Sequence, residues 1–509
     1  MNSIDRFLNQ ITLYRVVLYG LIAMAVWAAG LSFFGWLAYT PLQLGISLAL
    51  LIAACEVSNA LLGWLFSAAR NVESGVITAL ILFFIFAPPA SMLNALALVL
   101  AGVTAMAVKY VLVQHRAHFV NPAAFSAVVV GMVSGTALWW VGAPAMLPIT
   151  LIVGLAVVRK IRRFDLLIPF LLTSVTIITV HSFVQFNEPV TFGAIFHTVG
   201  TIFTSWPIVF LGTIMLTEPL TTPSVHWQRG VYAVIVGALA GLPYQLGPLA
   251  LTPELALVLG NIIGFVMSPN RRLVLPLAER RQLADGIYEF AFSRPKDFTF
   301  SPGQYMEWTL PHERPDSRGN RRYFTIASSP TEPMIRLALK VTGNPLSSFK
   351  QALMTARRGH EIIGSRLAGD FTLPMPVQGK FVFVAGGIGV TTFRSMVQYL
   401  VDNRVSVDVV LFYTASHPQE FAYTPLFTEA AKVGVITRYV VTDTNNVPAN
   451  WQGGIGFLTV EQVEDAVPDF LERAYYLSGP NAMVLAYEKL FSRMGVPARQ
   501  IRTDYFPGY

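Results

Sequence analysis

Hydrophobic residues run in long, nearly unbroken stretches as far as Met267 and then, past the polar break Pro269-Asn270-Arg271-Arg272, give way to short alternating runs. The first region holds ten apolar stretches of spanning or near-spanning length, at about 16–38, 42–66, 75–90, 93–113, 123–141, 145–158, 166–186, 198–216, 231–246 and 253–267. A polytopic α-helical membrane domain of about ten spans is therefore expected over 1–270. In the second region Ile287-Tyr288-Glu289-Phe290-Ala291-Phe292 and 335–341 alternate around turns such as Pro302-Gly303-Gln304-Tyr305, the rhythm of a small antiparallel β-barrel over 271–376. From Lys380, strands near 381–385, 407–413 and 475–477 interleave with helical stretches, which predicts a parallel α/β domain over 377–509.

Charge placement supports the division. The chain is 54% hydrophobic and 13% charged, yet only ten of its 36 Lys/Arg and seven of its 29 Asp/Glu lie before residue 269. Those ten cations fall at the N-terminus (Arg6, Arg15) or in alternate connections: Arg70; Lys109 and Arg116; Arg159, Lys160, Arg162 and Arg163; Arg229. The positive-inside tendency then puts both ends of the membrane domain, and with them the C-terminal half, in the cytoplasm of a bacterial-type inner membrane. The net +7 divides between the halves and its membrane share sits at span ends, so nucleic acid is excluded as a partner and lipid is expected. A single cysteine, Cys55, rules out an internal disulfide, a four-cysteine iron–sulfur cluster and a zinc ribbon, and no metal site is predicted. Met1 to Arg15 is polar and the first apolar run is of spanning length, so a cleavable signal peptide is not expected.

Three polar features interrupt the membrane half. Glu56, with Asn59 one turn on, is an ionisable group in hydrocarbon, either a packing hydrogen bond or part of an ion path. His115-Arg116-Ala117-His118-Phe119-Val120-Asn121-Pro122 opens the fifth stretch, and Met215-Leu216-Thr217-Glu218-Pro219-Leu220-Thr221-Thr222-Pro223 closes the eighth. Asn-Pro and Glu-Pro break helices and free backbone groups for a ligand, which marks Asn121, Thr217 and Glu218 as candidate cofactor-binding residues. These segments resemble those of the NqrB/RnfD family, the large membrane subunits of sodium-pumping NADH:quinone oxidoreductase and the Rnf complex. The resemblance implies two inverted five-helix repeats and a flavin within the membrane domain. That family attaches FMN to a threonine in a Ser-Gly-Ala-Thr-like string, which this chain lacks, so a second, non-covalent flavin or a quinone is expected. A haem is the rival carrier, with His115, His118, His181 and His197 as the available ligands.

In the C-terminal half, Phe381-Val382-Phe383-Val384-Ala385 runs into Gly386-Gly387-Ile388-Gly389 and then Thr391 and a helical pattern. Such a strand, tight turn and helix start offers bare N–H groups to a pyrophosphate. Upstream stands Arg322-Tyr323-Phe324-Thr325-Ile326-Ala327-Ser328, and downstream Ser478-Gly479-Pro480. The ordered set resembles the ferredoxin–NADP⁺ reductase superfamily. That resemblance implies FAD, with Arg322 neutralising its pyrophosphate, Tyr323 and Ser328 in the same strand segment, Phe324 against the isoalloxazine and Thr325 near its reactive edge. Ser347 and Ser348 correspond to a phosphate-holding helix start, with Asn344 where glycine is usual. Glu420-x-x-Tyr423, Gly479 and Pro480 fall on the nicotinamide side, Ser478 replaces the usual cysteine, and Tyr505 and Phe506 stand where the family covers the flavin ring. Thr325, Phe324 and Ser478 are the catalytic candidates. The adenosine ribose is expected near 414–417, where NADH and NADPH are not distinguishable.

Together the halves predict an NAD(P)H-oxidising membrane flavoprotein that passes electrons from FAD to a carrier in the membrane and on to a quinone or extracytoplasmic acceptor. The competing class is an ion or solute transporter with a regulatory flavin head.

Overall fold

The computed structural model describes residues 11–504 apart from 67–69, 115–116, 187–188, 243–244, 247–248, 269–271, 313–315, 317–318, 343–345 and 446. Its chain forms two compact units, Met1–Asn270 and Arg271–Pro507.

In the first unit each apolar stretch contains a helix: α1 Leu13–Phe33, α2 Pro41–Leu65, α3 Val72–Ile85, α4 Met92–Val111, α5 Pro122–Ser134, α6 Leu147–Ile161, α7 Phe164–Phe186, α8 Phe192–Ser205 with α9 Ile208–Met215, α10 His226–Gly241 and α11 Pro253–Met267. Helix starts follow local chemistry. Thr12, Asn71, Ser91 and Thr191 accept a first-turn N–H, Thr40 and Gln43 form a capping box, and Asn121-Pro122 and Thr252-Pro253 pair a cap with a proline at the first helical position.

Length is where the ten-span expectation changes. Among the described residues five helices are long and apolar enough to cross a bilayer, and the α8–α9 pair makes six if counted as one span. That pair bends by 68° at Trp206-Pro207, because proline removes an N–H and crowds the preceding turn. Helices α3 and α5 are only 14 and 13 residues long, and their C-terminal ends meet. Ile85 O accepts from Leu138 N (3.0 Å) and Trp139 N (2.8 Å), and Ala87 N donates to Thr136 O (2.9 Å). Each end thus satisfies the other's exposed backbone, the condition for ending a helix among apolar neighbours. Nearly every residue of α3 from Ile77 onward is buried, so this helix is enclosed by the others. The packing partners recur along the chain: α2 lies on α4 as α7 lies on α10, and α4 lies on α5 as α10 lies on α11.

The second unit begins with strands β1 Leu273–Ala284, β2 Ile287–Ser293, β3 Tyr305–Thr309, β4 Arg321–Thr325, β5 Met334–Lys340 and, after helix α12 Ser348–Thr355, β6 Glu361–Ala368. They form one antiparallel sheet in the order β4-β3-β6-β1-β2-β5 around Phe290, Phe292, Trp308, Leu337 and Phe349. Its edges β4 and β5 approach through Ala327 N donating to Arg336 O (2.8 Å), just past the end of β4, and not through a full strand ladder. Next come β7 Lys380–Gly386, α13 Val390–Asp402, β8 Asp408–Ala415, α14 Thr424–Glu429, β9 Val435–Val441, β10 Gly454–Ile455, α15 Val460–Ala466, β11 Ala474–Ser478, α16 Asn481–Arg493 and β12 Ile501–Asp504. This sheet is parallel, in the order β10-β9-β8-β7-β11-β12. Phe381 and Phe383 pack on one face with Phe393 and Tyr476, Val382 and Val384 on the other with Tyr475 and Phe491. Burial on both sides explains why β7 reads as a continuous apolar run.

Small residues set the helix crossings of the first unit. A Cβ at Gly237 would lie 2.7 Å from the carbonyl oxygen of Phe170, whereas one at Gly230 on the same helix would meet nothing within 4 Å. Gly237→Leu is expected to cost about 1–3 kcal/mol of overpacking and lower the melting temperature of the detergent-purified protein by several degrees, with Gly230→Leu near wild type.

Candidate functional site

In the second unit the chemistry converges at the carboxyl ends of β7, β11 and β12, where an open parallel sheet places its ligands. Strand β7 ends at Gly386, and the turn to α13 passes through Gly387 in the left-handed region (φ +51°). The glycines have separate jobs. A Cβ at Gly389 would lie 2.5 Å from the Ser478 carbonyl oxygen, and one at Gly386 would collide with the Met483 sulfur, so these two let the β7 and β11 loops touch. Gly387 has nothing within 4 Å, leaving open room above the turn. Thr391 bonds back to Ile388 O (3.0 Å) and steadies the first turn.

Four polar side chains from separate segments form a chain. Thr325 Oγ1 at the end of β4 lies 3.4 Å from Thr392 Oγ1 on α13. Thr392 donates to Asp504 Oδ2 (3.1 Å), and Ser478 Oγ donates to the same oxygen (3.0 Å) and lies 3.5 Å from Thr392. Ser478 and Asp504 face each other in register on β11 and β12. All four are buried. Thr325 and Ser478 thus come together as expected from sequence, but Thr392 and Asp504 join them. Neither Thr392 nor Asp504 is among the candidate residues that the sequence marks.

Strand alternation separates Thr325 from its neighbour. Phe324 shares its face with Arg322, and both pack on Phe349 of α12, with ring centroids 5.7 Å apart and the guanidinium 5.7 Å from the ring. Arg322 forms a two-pronged pair with Asp316 (2.8 and 2.9 Å), whose N–H donates to Ser348 Oγ (2.9 Å), while Ser347 caps α12 through Lys350 N (3.4 Å). Arg322, Phe324, Ser347 and Ser348 therefore meet at one end of edge strand β4. Tyr323 points to the other face, its hydroxyl on Glu307 Oε2 (2.9 Å). Ser328 is fully buried, its hydroxyl accepting Arg336 N (3.1 Å) and its carbonyl accepting Ser395 Oγ (2.7 Å), so it ties the two sheets together. Gly479 approaches Gly386 and Gly389, and Pro480 precedes α16. Tyr505, Phe506, Asn344 and His115 lie outside the described residues.

The Glu420-x-x-Tyr423 pair, read from sequence as part of the nicotinamide side, serves the joint between the sheets. Glu420 takes Lys340 Nζ of β5 (2.7 Å), and Tyr423 donates to Glu289 Oε2 of β2 (2.8 Å). Glu289 also receives Arg336 (2.7 Å) and Arg281 (2.8 Å). Burial pushes its carboxyl up, but Arg336, the Tyr423 hydroxyl and Arg281 outweigh that and hold it below the usual range.

In the first unit the two predicted helix breaks meet. Asn121 Nδ2 donates to Glu218 Oε2 (2.9 Å), and His118 Nε2 sits 3.0 Å from Glu218 Oε1. Asn121 N donates to Asn261 Oδ1 (2.8 Å), and Asn261 Nδ2 to the Tyr232 hydroxyl (2.8 Å), adding two residues that no sequence signal singled out. The Thr217 hydroxyl turns back onto Thr213 O (2.7 Å), leaving Glu218 as the group that faces the break. Glu56 is paired with Arg70 (2.7 Å) and packs over Gly75, and Asn59 accepts from the Tyr110 hydroxyl (2.7 Å). Lys109, taken from sequence as a loop cation, belongs to the last turn of α4 and donates to Ser74 O and Oγ (2.8 and 2.9 Å).

An antiparallel sheet followed by a parallel sheet with a glycine turn after its central strand defines a dinucleotide-binding class of protein, and residues 383–489 match the oxidoreductase NAD-binding domain family. Among curated proteins the chain is 26% identical over 220 residues to the glycine betaine monooxygenase reductase subunit of Pseudomonas aeruginosa, covering 43% of this chain and 59% of that one. It is 24% identical over 242 residues to NADH-cytochrome b5 reductase 1 of Aspergillus oryzae, covering 45% and 81%. Among solved structures it is similar to the Amycolatopsis cytochrome P450 reductase GcoB, with 24% identity, a TM-score of 0.41 and coverage of 47% and 70%. The chain thus spans under two thirds of the length of the first of these relatives.

Burial raises the Asp504 carboxyl to about 6, with the hydrogen bonds from Ser478 and Thr392 opposing the rise. The stabilisation from its protonated form is complete below the ordinary carboxylate value of 3.8 and is lost as pH rises through about 6. Asp504→Asn is therefore expected to gain stability relative to wild type between pH 4 and 7, by roughly 3 kcal/mol for a shift of about two units, read as a pH-dependent difference in melting temperature.

Proposed function

We propose that this protein is a membrane-bound flavoprotein that oxidises NAD(P)H and passes the electrons through FAD to a carrier in its membrane domain. The observation that carries the reading is the buried chain Thr325–Thr392–Ser478–Asp504, which links the end of the strand expected to hold flavin with the loops expected to hold nicotinamide. The residues fit the dinucleotides. Arg322, paired with Asp316, and the capped start of α12 lie together at one end of β4, and the open space over Gly387 leaves room for a pyrophosphate. A bound FAD supplies the conversion of a two-electron donor into single electrons. The chain's own contribution is positioning. Thr325 and Thr392 fix the contact between the sheets, Ser478 and Thr392 donate to the buried Asp504 oxygen, and burial of all four excludes water.

On this reading the membrane unit has ten spans in two inverted repeats, and the recurrence of packing partners supports that arrangement. The second carrier, a non-covalent FMN or a quinone, binds beside Asn121, Thr217 and Glu218, where two broken helices bring carboxylate, imidazole and amide together. A carrier is required because the hydrocarbon core is about 30 Å thick. The acceptor is a quinone or an extracytoplasmic electron carrier.

The purified full-length protein is expected to contain acid-extractable FAD that NADH or NADPH bleaches anaerobically, and a second chromophore that responds afterwards. Arg322→Ala should lower FAD content by at least about tenfold. A preparation with no flavin sinks the proposal, and bleaching of one flavin with no second response favours a transporter with a regulatory head.

A further inference from the structure

The reacting end of the cleft has a direction, and that direction locates the other end of the dinucleotide. Thr325, Thr392, Ser478 and Asp504 lie toward β11 and β12, on one side of central strand β7. With the nicotinamide there and the pyrophosphate over the Gly386–Gly389 turn, the adenosine half extends the opposite way, over the carboxyl ends of β8 and β9. Those ends form a shelf. Thr442 N donates to Ala415 O (2.9 Å), Asp443 N to Ser416 O (3.2 Å), and Thr442 Oγ1 also to Ala415 O (3.2 Å).

The shelf carries two carboxylates. Asp443 Oδ2 lies 3.6 Å from His417 Nδ1, with both side chains partly exposed, and Asn445 N donates to Asp443 Oδ1 (3.0 Å). Glu420 is the second carboxylate, accepting Ser416 N (3.4 Å) and paired with Lys340 (2.7 Å). Arg404 and Lys432 precede β8 and β9, at the opposite ends of those strands, and Arg438 lies mid-strand in β9. Among the described residues, then, Lys340 already faces one carboxylate of this rim, and the His417 ring lies against the other.

We propose that Asp443 reads the 2′-hydroxyl of the adenosine ribose, so that the protein uses NADH and discriminates against NADPH. A ribose hydroxyl can donate to a carboxylate, whereas a 2′-phosphate would bring its negative charge against Asp443 and Glu420 with no arginine fork to receive it. The inference rests on the dinucleotide reading of the β7–α13 turn.

The test is steady-state ferricyanide reduction by the full-length, flavin-loaded protein with each nucleotide. Wild type is expected to favour NADH over NADPH in kcat/KM by about 100-fold or more. Asp443→Arg should narrow that ratio at least about tenfold, chiefly through a lower KM for NADPH with kcat nearly unchanged, and His417→Arg should move it in the same direction. Equal use of both nucleotides by wild type overturns the inference and leaves the dinucleotide site standing. A ratio unmoved in both variants at normal flavin content also overturns it. Failure of either nucleotide to reduce the flavin overturns the site and this inference with it.

Discussion

The second unit depends on a buried carboxylate. Glu289, with a fully buried side chain on β2 of the antiparallel sheet, holds Arg281 and Arg336 from its own sheet and the hydroxyl of Tyr423 from the parallel domain. Beside it Glu332 receives Arg394 of α13 through both guanidinium nitrogens, with Nη2 2.9 Å from Oε1, and Arg336 (3.1 Å). A buried charge left without partners is severely destabilising, so this cluster forms only when the two sheets meet in one relative position. That position sets Thr392, two residues before Arg394, against Thr325, and so builds the site. Tyr423 adopts a left-handed backbone (φ 62°) to reach Glu289, a conformation that a residue with a side chain keeps only when its surroundings enforce it.

The same constraint, that buried polar groups find partners, shapes the first unit differently. There the partners are ends of interrupted helices. The start of α5 and the end of α9 meet through Asn121, His118 and Glu218, and the ends of α3 and α5 meet through backbone hydrogen bonds near Ile85 and Thr136. Short helices that stop inside the apolar unit are tolerated because each stop is matched by another, and the matching brings ionisable groups to places where an uninterrupted helix would present only apolar side chains.

Much of this was legible along the chain. The apolar stretches located the helices, because a residue facing lipid or core has few alternatives in composition, and Asn-Pro and Glu-Pro marked the breaks because proline's missing N–H acts locally. Lengths were less legible: 198–216 reads as one stretch, yet Pro207 bends it by 68°. Lys109 carried the signature of a loop cation while its ammonium reaches Ser74, a contact that depends on how α4 lies beside α3.

By itself, the amino-acid order determined the division into a membrane-type half and a strand-rich half, the parallel sheet with its glycine turn, and the strand bearing Arg322, Phe324 and Thr325. These follow from periodicity and turn chemistry, which act over a few residues. Only the folded structure decided that Thr392 and Asp504 join Thr325 and Ser478, that Glu420 and Tyr423 serve the joint between sheets, and that Asn261 and Tyr232 complete the Asn121–Glu218 cluster. Partners such as Thr392 and Asp504, 112 residues apart, are selected by sheet order and domain contact, and no local preference of either residue encodes that meeting.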